Sequence, residues 1–374
     1  MASQEYGLKR HFNEDAAVLI GTKVRAVRPD FDVDGYAREV AARIPGKELK
    51  DRVLVLAEGL RDRLPADYPA AVEVLAAILG AELAEGEGMF NESWFLMPVA
   101  RFVEEYGHEH PEVSLRALEE ITRRHTAEYA VRPYIDKHYD LAMATLADWA
   151  LSPSHNVRRA ASEGCRSRLP WAKTLTRFVK DPRPVLAILE PLRSDSSEYV
   201  RKSVANNLND ITKDDRELAL ATAARWLAES QTPETAWIVK HGLRTLVKKG
   251  DQDALRLLGA TGGEHIEIPA VRIAPTAIRL GEAVTIRVDL VNGDSTPHSV
   301  TVDYVVHHVR LGGKAIPKVF KLATVDLGAG ERKTLEKVHK VREIQTRRYY
   351  PGDHLVDIQV NGTVLASDRF ELRL

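Results

Sequence analysis

The sequence predicts two domains of different class, an all-α solenoid of paired-helix repeats followed by an all-β sandwich. Three observations carry this prediction. Apolar residues recur at helical spacing as far as about Gly250, a short motif repeats about every 40 residues, and strand-type alternation begins after a glycine-rich segment. We place the helical domain at 1–258, a linker at 259–267 and the sandwich at 268–374.

The first helices follow from apolar spacing and from residues that end helices. Apolar side chains from Val53 to Leu64 line one face of a helix that ends before Pro65. A second such face runs from Ala70 to Leu79 and ends at Gly80. Asn91–Ser93 offers a cap before Trp94, and Pro111 opens a further helix. Short breaks therefore separate helices of roughly ten to sixteen residues, the length that paired-helix repeats use.

A repeated motif identifies the type of solenoid. The segment His155–Glu163 resembles Glu198–Asn206, and their shared valines, Val157 and Val200, lie 43 residues apart. A weaker third copy, Trp237–His241, places Ile238 another 38 residues on. This period is typical of HEAT repeats, which stack helix pairs so that equivalent positions line one strip. We expect functional residues on that strip.

The chain changes character at 259–263, where three glycines in five residues disfavour a helix. After this segment apolar and polar residues alternate. The alternating segments are 270–273, 283–290, 300–309, 318–325, 334–341 and 354–360. About seven short strands in roughly a hundred residues are typical of an immunoglobulin-like sandwich, here without a disulfide core.

Composition narrows the functional classes. The 374 residues carry a formal net charge of −1, but residues 1–125 contain 16 Lys and Arg against 23 Asp and Glu, so later segments are slightly basic. An anionic partner is expected there. One cysteine, Cys165, fits a reducing compartment, and no apolar run suggests a secretory signal or membrane span. We expect a soluble, cytoplasmic monomer with no membrane partner.

Three acids and one indole occupy related places in the repeats. Glu163 ends the first main copy, Asp210 lies in the segment that continues the second, Glu128 precedes them, and Trp171 closes the first loop. Stacking in register would bring them together, and clustered acids destabilise a fold unless they hold a cation or a cationic transition state. The alternative is that each acid pairs with a nearby arginine, for which the candidates are Arg132, Arg159, Arg166 and Arg201.

Basic residues recur in the same region and would suit a phosphate backbone if they lie along stacked helices. The alternative is an ordinary solvated face. These candidate DNA-binding residues are Arg158, Arg159, Arg166, Arg168, Arg201, Lys202, Lys240 and Arg244. No zinc-type spacing is present, since His307 and His308 have no cysteine partner, and no phosphate-binding loop follows the glycines. We expect neither a metal nor a cofactor.

Several segments together resemble one protein family. The segments Thr126–Pro133, Val157–Gly164, Arg168–Ala172 and Val200–Ile211 are similar to the AlkC group of bacterial alkylpurine DNA glycosylases. The opening Leu8–Asn13 fits the same group, some members of which carry an immunoglobulin-like domain after the repeats. The resemblance covers the whole helical part.

This resemblance implies hydrolysis of the N-glycosidic bond of cationic N3-alkylated bases, 3-methyladenine and 3-methylcytosine, in double-stranded DNA, without base flipping. Glu128, Glu163, Trp171 and Asp210 would then surround the lesion, with Asp210 or Glu163 as the essential carboxylate. Arg159 would contact nearby DNA. A monofunctional glycosylase of base excision repair is therefore the leading hypothesis. A HEAT-repeat scaffold that binds DNA or protein without chemistry remains the alternative.

Overall fold

The computed structural model describes residues 7–83, 93–312, 314–344 and 347–374. The chain divides into two compact units, Met1–Gly242 and Leu243–Leu374. The first unit is helical throughout its described part, and the second consists mainly of β-strands. The predicted order, all-α followed by an all-β immunoglobulin-like domain, is confirmed. No described helix is both long enough and apolar enough to cross a bilayer.

The described residues contain sixteen α-helices, fourteen of them in the first unit. Their bounds are α1 Glu14–Val27, α2 Val33–Arg43, α3 Leu49–Arg61, α4 Tyr68–Ala77, α5 Met97–Tyr106, α6 Pro111–Thr122, α7 Arg132–Lys137, α8 Tyr139–Trp149, α9 His155–Gly164, α10 Thr176–Lys180, α11 Arg183–Leu189, α12 Glu198–Asp214, α13 Arg216–Glu229, α14 Pro233–Gly242, α15 Arg244–Lys248 and α16 Gln252–Leu257.

Short polar side chains set the start of several helices. Asn13, Asp32, Asp67 and Asp215 each accept a hydrogen bond from a backbone N–H in the first turn of α1, α2, α4 and α13. Of the residues predicted to cap the helix before Trp94, Asn91 and Glu92 lie outside the described residues. The Ser93 hydroxyl there bonds to the ring of His125 instead of capping the helix.

The three motif copies form three neighbouring helices. The copies fall on α9, α12 and α14, and α12 packs against both of the others. Val157, Val200 and Ile238 are completely buried, so equivalent residues of the motif occupy equivalent core positions. The sequence repeat therefore corresponds to a structural repeat, which brings α9 and α12 side by side.

The second unit contains two β-sheets packed face to face. Their strands are β1 Ile266–Ala274, β2 Ala277–Arg279, β3 Ala283–Asn292, β4 His298–Val309, β5 Ala315–Leu327, β6 Arg332–Lys340, β7 Gly352–Val360 and β8 Thr363–Arg373. One sheet has the order β1-β3-β6 and the other β2-β8-β7-β4-β5. Alternate residues of β3, β4 and β7 fill the core between the sheets. The alternation had predicted neither β2 nor β8.

The boundary between the units differs from the predicted one. It falls between Gly242 and Leu243, ahead of the predicted 258, because α15 and α16 associate with the strands. The Gln252 side chain donates to the carbonyl of Asn361 at 2.9 Å, in the turn that joins β7 to β8. The predicted linker is also bonded to the sandwich, since Thr261 N–H donates to the Ser299 carbonyl at 2.9 Å.

Candidate active site

The three predicted acids lie in one line of ion pairs across the stacked helices. Glu128 accepts from Arg159 at 3.0 Å, and Arg159 also lies 3.7 Å from Glu163. Glu163 accepts from Arg166 at 2.7 Å, and Arg166 donates in turn to Asp210 at 2.9 Å. The stacking of α9 on α12 therefore brings together side chains that are far apart in sequence.

Each of these acids has an arginine partner, so the pairing that the salt-bridge alternative predicted is confirmed for Glu128, Glu163 and Asp210. Two of the four predicted partners act differently. Arg132 donates to the carbonyls of Gly164, Arg166 and Lys173, and Arg201 donates to those of Asp195 and Ser196. All three acids are buried, which makes their charge compensation necessary for the fold.

Asp210 and Glu163 have further donors that sequence reasoning missed. Lys213, one turn along α12, donates to the second oxygen of Asp210 at 2.8 Å. The Ser203 hydroxyl donates to Glu163 at 2.6 Å. Burial opposes ionisation of Glu163, but Arg159, Arg166 and the Ser203 hydroxyl outweigh it and lower the pKa of this carboxyl. Glu163 is therefore ionised at neutral pH.

The lowered pKa of Glu163 predicts how stability changes with pH. A carboxyl whose pKa is lower in the folded than in the unfolded state stabilises the fold at pH values above its unfolded pKa, about 4.5. This stabilisation is lost as the pH falls through the folded pKa. The urea midpoint of the helical unit should thus fall on acidification below about pH 4.5. Glu163→Gln should flatten this dependence, whereas Glu73→Gln, at an exposed position on α4, should not. Equal pH slopes for the parent and Glu163→Gln would contradict the prediction.

Trp171 is placed differently from the acids. Its side chain is 81% exposed, and its backbone lies in the left-handed region at φ 62°. Lys50 donates to the Trp171 carbonyl, and the Tyr129 hydroxyl donates to the carbonyl of Pro170 at 3.3 Å. Arg132, whose burial lowers its pKa to about 10, fixes the remainder of this loop through the three carbonyls named above. The fold thus holds this indole out into solvent.

A cavity of about 450 Å³ is lined by both Trp171 and one of the candidate acids. Its lining includes Glu128, Tyr129 and Trp171, together with Lys50 from α3 and Met97 from α5. Of the three candidate acids, Glu128 is the one that lines the cavity together with the exposed indole, and Glu163 and Asp210 follow it along the line of ion pairs. Sequence spacing could not have predicted Lys50, which lies 121 residues before Trp171 and belongs to no repeat.

The basic residues divide into two sets by their position in the repeat. The residue directly after Val157 or Val200 is held by its own repeat. Arg158 donates to Ser152 O and Pro153 O, as Arg201 does to Asp195 O and Ser196 O. Arg158 also forms a two-point contact with the buried Asp195, at 2.6 and 3.1 Å. Their recurrence is therefore explained by structure within each repeat.

The next position carries a cation in all three motif copies, namely Arg159, Lys202 and Lys240. Arg159 is largely buried, with its guanidinium 4.9 Å from the centre of the Tyr199 ring. Lys202 and Lys240 are exposed, and Lys202 pairs with Glu198 on the same helix. Unlike the first set, these two lysines have side chains that an anionic partner could reach.

The remaining basic candidates are not equivalent. Arg166 is enclosed between two acids, while Arg168 is partly exposed and pairs with Asp214 at 2.6 Å. Arg244 lies on α15 in the second unit, where it is half-buried. Cys165 is completely buried, and burial raises the pKa of its thiol to about 12, so it is a poor nucleophile.

Comparisons with known proteins cover both units. A family model described as "DNA alkylation repair enzyme" matches residues 122–246, which include all the candidate acids. A second, described as the C-terminal Ig-like domain of YhaZ, matches residues 267–374. The chain is 36% identical over 366 residues to the uncharacterized protein YhaZ of Bacillus subtilis (strain 168), covering 98% of this chain and 99% of YhaZ.

One solved structure is similar along its whole length. It is the alkylpurine DNA glycosylase AlkC of Pseudomonas fluorescens, bound to DNA that contains an abasic site analog. The TM-score is 0.91 and the sequences are 35% identical, with 99% of this chain and 100% of that chain covered. Both the helical unit and the sandwich therefore have counterparts in a single solved protein.

Proposed function

Because this chain belongs to the AlkC family of alkylpurine DNA glycosylases, we propose that it excises cationic N3-alkylated bases from double-stranded DNA. The substrates are 3-methyladenine and 3-methylcytosine, and the reaction is hydrolysis of the N-glycosidic bond by a monofunctional, monomeric enzyme. The observation that carries the proposal is the convergence of Glu128, Glu163 and Asp210 in one buried group of charges.

The chemistry suits fixed carboxylates. An N3-alkylated base already carries a positive charge, so it can leave without a general acid. Cleavage leaves an oxocarbenium-like sugar, which an ionised carboxylate in a preorganised site stabilises electrostatically. The same group can orient the attacking water, as carboxylates do in glycoside hydrolysis. We propose Asp210 or Glu163 for this role, with Glu128 nearer to the exposed side of the group.

The cations are assigned a positioning role. Arg159, Arg166 and Lys213 alternate with the acids, which keeps neighbouring carboxylates from repelling one another. Arg159 and Arg166 each contact two acids, and these hydrogen-bonded contacts also fix the orientation of the carboxylate oxygens. The pairing balances the charges of the group and holds each carboxylate in a fixed orientation before a positive charge develops on the sugar.

Trp171 contributes recognition of the damaged nucleotide. Its exposed indole can lie against a cationic base or the reacting sugar, where a cation–π contact is worth about 0.5–2 kcal/mol. A neutral base gains neither this contact nor the electrostatic help to its departure. Selectivity for cationic lesions then needs no closed pocket, and the lesion is spared the unstacking cost of base flipping.

The exposed lysines are proposed to contact the phosphate backbone, and a matched pair of substitutions tests this. Lys202→Ala should weaken DNA binding for all sequences and reduce the salt slope by about 1, without changing the urea midpoint. Arg158→Met removes hydrogen bonds to the buried Asp195, so it should cost about 1.5–3 kcal/mol of stability. Fluorescence anisotropy against salt and urea denaturation measure the two effects. If Lys202→Ala lowered the stability and Arg158→Met weakened DNA binding instead, Arg158 would be the DNA contact and Lys202 the structural residue.

The function is tested by base release from duplex DNA. The full chain should release 3-methyladenine and 3-methylcytosine from an oligonucleotide and leave an abasic site, without strand cleavage at neutral pH. Undamaged DNA and a neutral lesion of similar size are the controls. The scaffold alternative, which the arginine pairing of every acid favours, predicts tight DNA binding and no release. Folded protein that binds DNA but leaves every cationic lesion intact would refute the glycosylase proposal.

A further inference from the structure

We propose that the sandwich unit binds a divalent transition-metal ion between His265, Asp294 and His298. These residues come from three separate segments: the 3₁₀ turn before β1, the turn after β3 and the first residue of β4. Within the part of the chain that the structure describes, they are the one group of three metal-ligating side chains whose ligand atoms converge. The site is independent of the proposed glycosylase activity.

The ligand atoms are close enough for a single ion. One ring nitrogen from each histidine and one carboxylate oxygen all lie within 4.8 Å of one another. Asp294 Oδ2 is 2.7 Å from His298 Nε2 and 3.9 Å from His265 Nε2. Zinc bonds of about 2.0–2.2 Å to nitrogen and oxygen place tetrahedral ligands roughly 3.3 Å apart. Side-chain adjustments of about 1 Å therefore bring all three atoms to coordinating distance.

The surrounding backbone holds the two imidazoles together. Their rings stack with centroids 5.4 Å apart and planes 16° from parallel. A Cβ built on Gly262 would lie 2.2 Å from the His298 ring, and Gly262 has a φ of 61°. Only glycine leaves room for the ring there without backbone strain. The N–H of Gly293 donates to the His265 carbonyl at 2.9 Å, which ties the two turns to each other.

The ligand types indicate which ions the site would take. Two imidazoles and one carboxylate suit Zn²⁺, Fe²⁺, Co²⁺ or Ni²⁺, whereas Mg²⁺ and Ca²⁺ prefer oxygen ligands alone. The His265 side chain is 47% exposed and that of Asp294 25%, so an ion can enter from solvent. Glu264, whose oxygen lies 3.7 Å from His265 Nε2, can supply a fourth ligand by rotating its exposed side chain.

Binding at this site would stabilise the sandwich by joining the start of β1 to the turn between β3 and β4. The stabilisation follows the ion concentration relative to its dissociation constant, because the unfolded chain lacks the preformed site. A histidine and an aspartate that contact each other without a bound ion would stabilise the sandwich less. The chain contains such a pair in His307 and Asp357, which lie 2.6 Å apart and belong to no such group of three among the described residues.

The experiment uses the metal-free full chain, titrated with Zn²⁺ by calorimetry and with Co²⁺ by visible absorption. We expect one ion per chain and a rise in the thermal midpoint of the sandwich. Asp294→Asn and His265→Ala should each weaken binding by at least about tenfold. His307→Ala is the matched control and should bind as the parent does.

Three outcomes would overturn the site. They are no saturable binding of either ion, binding that persists in the His265→Ala/His298→Ala double variant, and binding that is lost equally in His307→Ala. Circular dichroism establishes that each variant is folded. His265→Gln, at the most exposed of the three positions, provides a milder second test of the same ligand.

Discussion

Asp210→Asn is expected to slow base release by about 100- to 1,000-fold or more while leaving DNA binding nearly unchanged. The substitution preserves the shape of the side chain but removes its charge. Asp210 is buried, with Arg166 on one oxygen and Lys213 on the other, so its carboxylate is held in one orientation. Single-turnover release of 3-methyladenine from duplex DNA measures the rate, and anisotropy measures the affinity.

Two further substitutions separate the roles of the acids. Glu163→Gln should reduce the rate to a similar degree if the two buried acids act together, and Glu128→Gln tests the acid at the cavity. Glu73→Gln is the matched control, since it makes the same change of an acid to its amide at an exposed position on α4, outside the ion-pair network. An Asp210→Asn enzyme that releases base within about threefold of the parent rate would exclude Asp210 as the essential group.

The repeat explains why the fold and the acids could be predicted from sequence. A helical unit followed by strands follows from the change of hydrophobic period, and the 43-residue step places α9 beside α12. Glu163 and Asp210 come close because both face the joint between these helices. Glu163 follows Val157 by six residues and Asp210 follows Val200 by ten, so the two acids are not equivalent positions of the motif, and it is the packing of α12 on α9 that brings them together.

No sequence repeat indicates the side chains that connect distant segments of the chain, so these contacts could not be predicted. Asp195 lies in the turn before α12 and holds Arg158, although nothing in its spacing links it to α9. His265 and His298 likewise meet only through the register of the sandwich. The basic motif was ambiguous for a related reason: a cation that bonds carbonyls within its own repeat recurs as regularly as one that binds DNA.

Arg166→Met is expected to destabilise the helical unit by about 3–5 kcal/mol, the largest effect on stability among these substitutions. Arg166 is the cation shared by Glu163 and Asp210, and its side chain is only 9% exposed. Methionine fills much of the same space but leaves two carboxylates buried near each other with weaker compensation. Urea denaturation at neutral pH, followed by circular dichroism, measures the loss.

A double variant tests whether this loss arises from the uncompensated charges. In Arg166→Met/Asp210→Asn one of the two acids is neutral, so the combined destabilisation should be smaller than the sum of the single effects by about 1–3 kcal/mol. Arg183→Met, which removes the exposed partner of the exposed Asp181 in the same unit, should cost much less than Arg166→Met. If the double variant is simply additive, or if Arg166→Met unfolds at the parent's urea concentration, Arg166 does not hold the acids in place. Activity should stay low in the double variant even where stability recovers, because the fold needs the charges balanced whereas the reaction needs the carboxylate itself.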